Sequence, residues 1–179
     1  MVEVLVAMGL GSIVMAAVAS VTMYSAKTSL AMVNYADLDS KSRYALDVIS
    51  RELREATALV SFQTNGNTPT LQLTNSIQGE AITLRYDSTA RTVVLSRTGQ
   101  ADLTVLMECD TWNFSLYQRT PYVTASKVLY YPATNSSGVF DVNLVKLISL
   151  SWKCSRTIFA QKVNTESVQA AQLVLRNKQ

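Results

Sequence analysis

The feature of this chain that most constrains its fold is an uncharged stretch near the N-terminus. No acidic or basic side chain occurs from Val4 to Ala26, with Glu3 just before the stretch and Lys27 just after it. At about 1.5 Å of rise per residue, a helix of this length spans the roughly 30 Å hydrocarbon core of a bilayer. We therefore predict a helix over residues 1–26 that crosses a membrane once, surrounded by lipid.

Beyond the apolar stretch, the helical pattern continues as a polar amphipathic segment. Apolar residues recur at spacings of three and four, which predicts a helix over residues 27–60 with one buried stripe. The stripe consists of Leu38, Ala45, Val48, Ile49, Leu53, Ala56 and Val60. We expect it to pack on the rest of the protein. A coiled coil with another chain is the lesser alternative, because heptads are not sustained.

Residues 61–179 are predicted to form a strand-rich globular head, separated from the helix by the turn signal Asn65-Gly66-Asn67-Thr68-Pro69. Alternating runs about ten residues apart favour an antiparallel meander. The predicted strands are Thr70–Thr74, Glu80–Tyr86, Thr92–Arg97, Leu103–Cys109, Trp112–Arg119, Val145–Arg156 and Val168–Arg176. The stretch 121–143 is expected to be a long surface loop that contacts a partner. The fold class is therefore α+β: a long helix packed on an antiparallel head.

Composition argues against an enzyme. The chain contains no histidine, which excludes a Ser-His-Asp triad, a Cys-His dyad and a His-ligated metal site. Its carboxylates lack the spacing of a calcium loop, and no phosphate-binding motif is present. A net charge of +3 without a Lys/Arg cluster gives no reason to expect a nucleic-acid partner. We expect no catalytic residues, no metal and no cofactor.

The two cysteines, Cys109 and Cys154, lie near the ends of predicted strands. If the strands that follow Cys109 and contain Cys154 pair antiparallel, the two residues approach the Cα separation of about 5.5 Å that a disulfide needs. A disulfide is favoured if the head is exported. Two buried free thiols are the alternative.

The apolar stretch itself has more than one interpretation. A cleaved signal peptide needs basic residues before a shorter apolar core, and this chain has neither feature. An ordinary membrane anchor explains the length but not the acid at its start, since a carboxylate in hydrocarbon costs about 2–3 kcal/mol. Alternatively, Glu3 lies among lipid headgroups, where the dipole of the helix N-terminus favours a negative charge.

A third interpretation follows from the string VEVLVAMGLGSIVMAAV at residues 2–18. This string resembles the N-terminal segment of type IV pilins and pseudopilins, in which an acid, about twenty apolar residues and an amphipathic helix follow one another. Glu3 matches the near-invariant glutamate of that family. The resemblance implies that Glu3 pairs with the terminal ammonium of a neighbouring subunit. The small residues Gly9, Gly11, Ser12 and Ala16 suit close helix packing, although such residues are common in any membrane helix.

A second string, SRYALDVISRELREAT at residues 42–57, resembles the J-type pseudopilins of type II secretion and the W-type minor pilins. It implies a low-abundance, non-catalytic subunit at a filament tip, held in the bacterial inner membrane by a single pass. The head would lie in the periplasm or at the cell surface, with other pilin or pseudopilin subunits as partners. The alternative is a membrane-anchored adhesin or periplasmic binding domain that uses the helix only as an anchor.

The chain departs from the family at Met1, which falls where leucine is usual. The resemblance implies a short basic leader, removed by a prepilin peptidase before the new N-terminus is methylated, and two mature residues upstream of Met1. A leucine codon read as a start codon would explain Met1, and so would a truncation.

Overall fold

The computed structural model describes residues 1–64, 66, 68–75, 79–157 and 166–175. One helix, α1 (Val2–Glu55), is followed by a head built from strands. The strands are β1 (Ala56–Gln63), β2 (Thr70–Asn75), β3 (Ala81–Asp87), β4 (Thr92–Arg97), β5 (Leu103–Leu106), β6 (Cys109–Tyr117), β7 (Tyr122–Val123), β8 (Val128–Leu129), β9 (Leu147–Ser155) and β10 (Glu166–Val174). A long helix packed against antiparallel sheets confirms the predicted α+β class.

The strands form two main sheets and a hairpin. The first sheet has the order β1-β2-β3-β4-β5, which is the antiparallel meander expected from the spacing of the strands. The second has the order β10-β9-β6, again antiparallel. The hairpin of β7 and β8 forms a separate two-stranded sheet.

The helix ends at Glu55, so its predicted extension to residue 60 is wrong. Ala56 already has an extended backbone and opens β1, with no loop between the two elements. Ala56 is buried as expected, but Val60 is exposed on the strand. The physical reason is pairing with the next strand: Leu59 and Phe62 lie opposite residues of β2, and this pairing overrides a local helical pattern.

The predicted strands agree with the observed ones to within a few residues, apart from the position of Cys109. Cys109 opens β6 and does not close β5. Glu108 adopts a left-handed backbone (φ 59°), and the Cys109 amide donates to the Arg91 carbonyl at 2.9 Å, which interrupts the ladder. The strand β1 was not predicted. Positions 65 and 67 of the turn signal and residue 176 lie outside the described residues.

The second half of α1 docks on the head through the predicted stripe. Leu38, Ala45, Val48, Ile49 and Leu53 are all buried, and the helix packs chiefly on β10, with further contacts to β5, β9 and β1. This confirms that the amphipathic segment packs on the head.

Two polar residues, Ser42 and Glu52, share the buried stripe of α1. The Glu52 side chain is only 4% exposed, and Arg97 of β4 donates two hydrogen bonds to its carboxylate, one of them at 3.0 Å. A buried charge of this kind is tolerated only when it is paired. The pair therefore fastens the C-terminal end of α1 to the first sheet.

We predict that Arg97→Met destabilises the head by about 3 kcal/mol, because it leaves the buried Glu52 carboxylate unpaired. Urea unfolding of the full chain in detergent, followed by the fluorescence of Trp112 and Trp152, measures the change. The control is Arg43→Met, which removes an exposed ion pair with Asp39 and should cost less than about 1 kcal/mol. Equal losses in the two variants would show that the Glu52–Arg97 pair does not fasten the helix.

Candidate functional site

The first half of α1 is an exposed apolar surface. Every side chain from residue 1 to residue 30 is exposed, and the first buried position of the helix is Leu38. Within the described residues, α1 is the one helix long and apolar enough to cross a membrane. It is therefore compatible with a single membrane span.

Three hydroxyl groups within this apolar surface are satisfied by the helix itself. The hydroxyls of Ser12, Ser20 and Thr22 each donate to a backbone carbonyl three residues earlier, at 2.8 Å. A polar group without a partner costs several kcal/mol in hydrocarbon. The segment can therefore enter an apolar medium without leaving these hydroxyls unsatisfied.

Glu3 is the single charged side chain among residues 1–26 of this surface, and it lies in the first turn of α1. It makes no ion pair within the part of the chain that the structure describes. Its position allows two kinds of stabilisation: the dipole of the helix N-terminus, and a cation brought by another molecule. Both interpretations of Glu3 from the sequence are compatible with this position.

Three of the four predicted packing residues share one face of the helix. At 3.6 residues per turn, Gly9, Ser12 and Ala16 fall within about 60° of one another, while Gly11 lies about 160° from Gly9. A Cβ atom added at Gly9 or at Gly11 would meet nothing within 4 Å. The stripe of small residues is therefore Gly9, Ser12 and Ala16, and Gly11 belongs to the opposite face.

A network of charged side chains ties α1 to both sheets just above the apolar segment. The Arg156 guanidinium, after β9, binds the Glu108 carboxylate through nitrogen–oxygen distances of 2.5 to 3.0 Å. It also reaches Asp37 and Asn34 on α1, each at 3.0 Å. The hydrogen bond from Arg156 lowers the pKa of Glu108. Hydrogen bonds from Lys41 and then Arg156 lower the pKa of Asp37.

A second cluster holds the start of β6 against the end of β9. Arg91, whose backbone is left-handed (φ 55°), donates to the Asp110 carboxylate at 2.6 Å and to the Ser155 carbonyl at 2.7 Å. The Ser155 hydroxyl donates to Asp110. The Tyr86 hydroxyl donates to the Asp110 carbonyl at 2.9 Å. These bonds fix the register in which β6 and β9 meet.

The two cysteines lie inside this junction. β6 and β9 pair antiparallel, as the sequence argument required, and Cys109 stands directly opposite Cys154. Both residues are completely buried, and both are free thiols in this structure. The predicted pairing of the strands is therefore confirmed, while the bond itself stays a prediction.

The stretch 121–143 is partly anchored and partly exposed. Ala133 is buried, and Phe140 packs on Phe62 with ring centroids 4.6 Å apart. The β7–β8 hairpin instead presents apolar side chains to solvent on both faces. They are Tyr122, Val123, Val128 and Leu129. An exposed apolar patch of this kind is typical of an interaction surface.

The hairpin lies far from the charged network. It follows Tyr117, and β6 runs from Tyr117 back to Cys109, beside Glu108, over roughly 26 Å at 3.3 Å per residue. The second sheet therefore has two different ends. The charged network with Asn34 and Asp37 of α1 lies at one end, and the hairpin extends from the other.

Sequence reasoning missed the buried polar residues of α1 and the charged residues where β6 meets β9. Ser42 and Glu52 continue the three- and four-residue spacing of the buried stripe, so an acid in that register was a signal for a buried basic partner. Arg91, Glu108 and Arg156 had no comparable signal, because their contacts join segments that are distant along the chain. Among the described residues, no group of three Cys, Asp or Glu side chains is placed to hold a metal ion.

Comparison of the chain with known protein families, characterised proteins and solved structures gives no significant match. Its function is therefore inferred from its own residues and geometry.

We predict that the Glu108–Arg156 contact makes stability fall in acid. The pKa of Glu108 is lowered on folding, so its stabilisation is present above its unfolded pKa, near 4.3, and is lost as the pH falls through the lower folded value. Glu108→Gln should lower the free energy of unfolding by about 1 kcal/mol at pH 7, since the pair is partly exposed. The deficit should shrink towards pH 3.

Urea unfolding at pH 7, 5 and 3 measures this difference between Glu108→Gln and the wild type. Glu55→Gln is the matched control, because Glu55 is an exposed carboxylate outside the network. It should follow the wild type at every pH. A deficit for Glu108→Gln that stays constant down to pH 3 would rule out an electrostatic role for the contact.

Proposed function

We propose that this chain is a non-catalytic subunit of a type IV pilus-like or type II secretion pseudopilus filament. The observation that carries the proposal is the division of one continuous helix into an exposed apolar half and a half docked on the head. A simple anchor needs the apolar half. It does not need an acid at the first turn or a stripe of small residues, and both of these suit contact with neighbouring helices.

In the proposed filament, the apolar half waits in the bacterial inner membrane and the head lies in the periplasm or at the cell surface. On assembly, the Glu3 carboxylate pairs with the N-terminal ammonium of a neighbouring subunit. The small face made of Gly9, Ser12 and Ala16 packs against a neighbouring helix. A prepilin peptidase would act on the precursor before these contacts form.

A low-abundance position at the filament tip is the finer part of the proposal. It is supported by the resemblance of residues 42–57 to J-type pseudopilins and W-type minor pilins. It is also supported by the β7–β8 hairpin, whose exposed apolar residues lie at the end of the head that is away from the apolar half of α1. We propose the hairpin as the contact for another filament subunit. Such a contact suits a subunit that meets unlike neighbours.

The second candidate function is a membrane-anchored adhesin or periplasmic binding domain. The same hairpin favours it, since an exposed apolar surface would also serve to bind a target. The two functions differ in what they require of Glu3 and of the small face of the helix. An anchored binding domain needs neither.

We predict that Glu3→Ala abolishes incorporation into filaments, with at least a tenfold loss, while the amount in the membrane is unchanged. The physical reason is that the change removes the partner of an ammonium in an apolar bundle, where an unpaired charge is costly. The ratio of chain in sheared filaments to chain in the membrane fraction measures the effect in the native bacterium. Glu55→Ala, on the same helix, is the control. Wild-type incorporation of Glu3→Ala would favour the anchored binding domain.

We predict that Gly9→Leu lowers incorporation more strongly than Gly11→Leu. Neither added side chain meets anything within 4 Å at its Cβ, so the isolated subunit should fold equally well in both variants. Only Gly9 lies on the small face, where a leucine would keep a neighbouring helix away. The same fractionation assay applies. Equal behaviour of the two variants would exclude this face as the packing surface.

A further inference from the structure

The cysteine pair has the geometry of a cross-strand disulfide site. In the ladder of β6 and β9, the Ser155 amide donates to the Glu108 carbonyl at 3.0 Å, which makes Glu108 and Ser155 a hydrogen-bonded pair. The next pair, Cys109 and Cys154, is therefore of the non-hydrogen-bonded type. Cα atoms in such pairs are about 4.5 Å apart, within the range that disulfides span.

Several contacts hold the two cysteines in this position. The Cys109 amide donates a hydrogen bond to the Arg91 carbonyl, and the Cys109 thiol donates to the Thr111 carbonyl at 3.2 Å. On the same face of the two strands, Trp112 and Trp152 stack with ring centroids 5.5 Å apart. The hydrogen bond between the sulphurs raises the pKa of Cys109 and lowers the pKa of Cys154.

The docked helix covers the pair. Both cysteines belong to the same core cluster as Leu38 and Ala45 of α1, and neither is more than 1% exposed. Ser42 of α1 lies on the same buried stripe as Leu38 and Ala45 and is completely buried. The helix also contacts β9, the strand that carries Cys154. An external oxidant therefore has no path to either sulphur while the helix is docked.

From these observations we propose that Cys109 and Cys154 form a disulfide before α1 docks, and that docking then seals the bond. The oxidant is a disulfide-bearing thiol oxidoreductase or low-molecular-weight disulfide of the compartment that holds the head. A cysteine thiolate attacks the external disulfide and releases one thiol. The second cysteine then attacks the mixed disulfide and releases the other. Two electrons pass from the cysteines to the oxidant, whose disulfide becomes two thiols.

The proposed bond gives a structural role to the two buried cysteines between β6 and β9, because it would stabilise a head whose second sheet has only three strands among the described residues. The bond would close the loop between residues 109 and 154, which contains the exposed hairpin and most of the second sheet. In the chain-entropy account, a loop of this size raises the ratio of folded to unfolded protein by about 10²–10³-fold.

The test uses the full chain in detergent, unfolded in guanidinium, reduced, and refolded with oxidised and reduced glutathione. After a second unfolding, maleimide labelling and intact mass count the free thiols. We expect no maleimide added after oxidative refolding, and two added to chain refolded under reducing conditions. Two maleimides on the oxidatively refolded chain would overturn the proposal. Because the assay needs no filament, failure of the bond leaves the proposed function standing, and the reverse also holds.

The order of events is tested with chain that is first refolded under reducing conditions and only then exposed to oxidised glutathione. We expect its oxidation to be at least 100-fold slower than that of unfolded chain. Ile49→Val should accelerate it about three- to tenfold, and Ile49→Ala about 30-fold or more, because both loosen the buried face of α1. Tyr44→Ala, an exposed change on the same helix, should have no effect. Oxidation of folded wild type as fast as that of unfolded chain would disprove sealing by the helix.

Discussion

The structure depends on the docking of residues 38–53 of α1 against the head. This contact buries the apolar stripe, and without it β10, β9 and β5 would expose their inner faces to water. Charged contacts hold it at both ends. Glu52 pairs with Arg97 at the C-terminal end of the docked segment, and Arg156 contacts Asp37 and Asn34 at its N-terminal end. The apolar stripe supplies the driving force, and the charged pairs fix the register. If the helix slid by one turn, the buried Glu52 carboxylate would lose its partner and remain unpaired.

The fold could be predicted where local patterns agree with the final packing. Three local patterns agree with the structure. The uncharged stretch is exposed, the stripe with Leu38 and Ile49 is buried, and burial along β9 follows the alternation of its residues. The predicted end of the helix was wrong. The spacing of apolar residues over 56–60 fits a helix, but these residues form a strand because they pair with β2. A pairing between segments more than ten residues apart has no trace in local periodicity.

The candidate site divides in the same way. Glu3 and the small residues are read from the sequence because their environment is set by one helix, and helical geometry alone then separates Gly11 from Gly9, Ser12 and Ala16. The pairing of Cys109 with Cys154 was anticipated from the order of the strands, whereas the cover supplied by α1 was not. The junction formed by Arg91, Glu108 and Arg156 arises only when the β3–β4 turn, the β5–β6 connection and the end of β9 meet.

The continuity of α1 links the exposed surfaces to one another. No proline interrupts the helix, and its two glycines lie near the N-terminus, far from the docked half. The helix is fastened to the head at Asp37 and again at Glu52, so the head cannot turn about the helix axis without breaking an ion pair. A neighbour that packs on the Gly9 face therefore also sets the direction in which the β7–β8 hairpin points. In an assembly of such helices, contacts along the apolar half of α1 would therefore orient the exposed surface at the far end of the head.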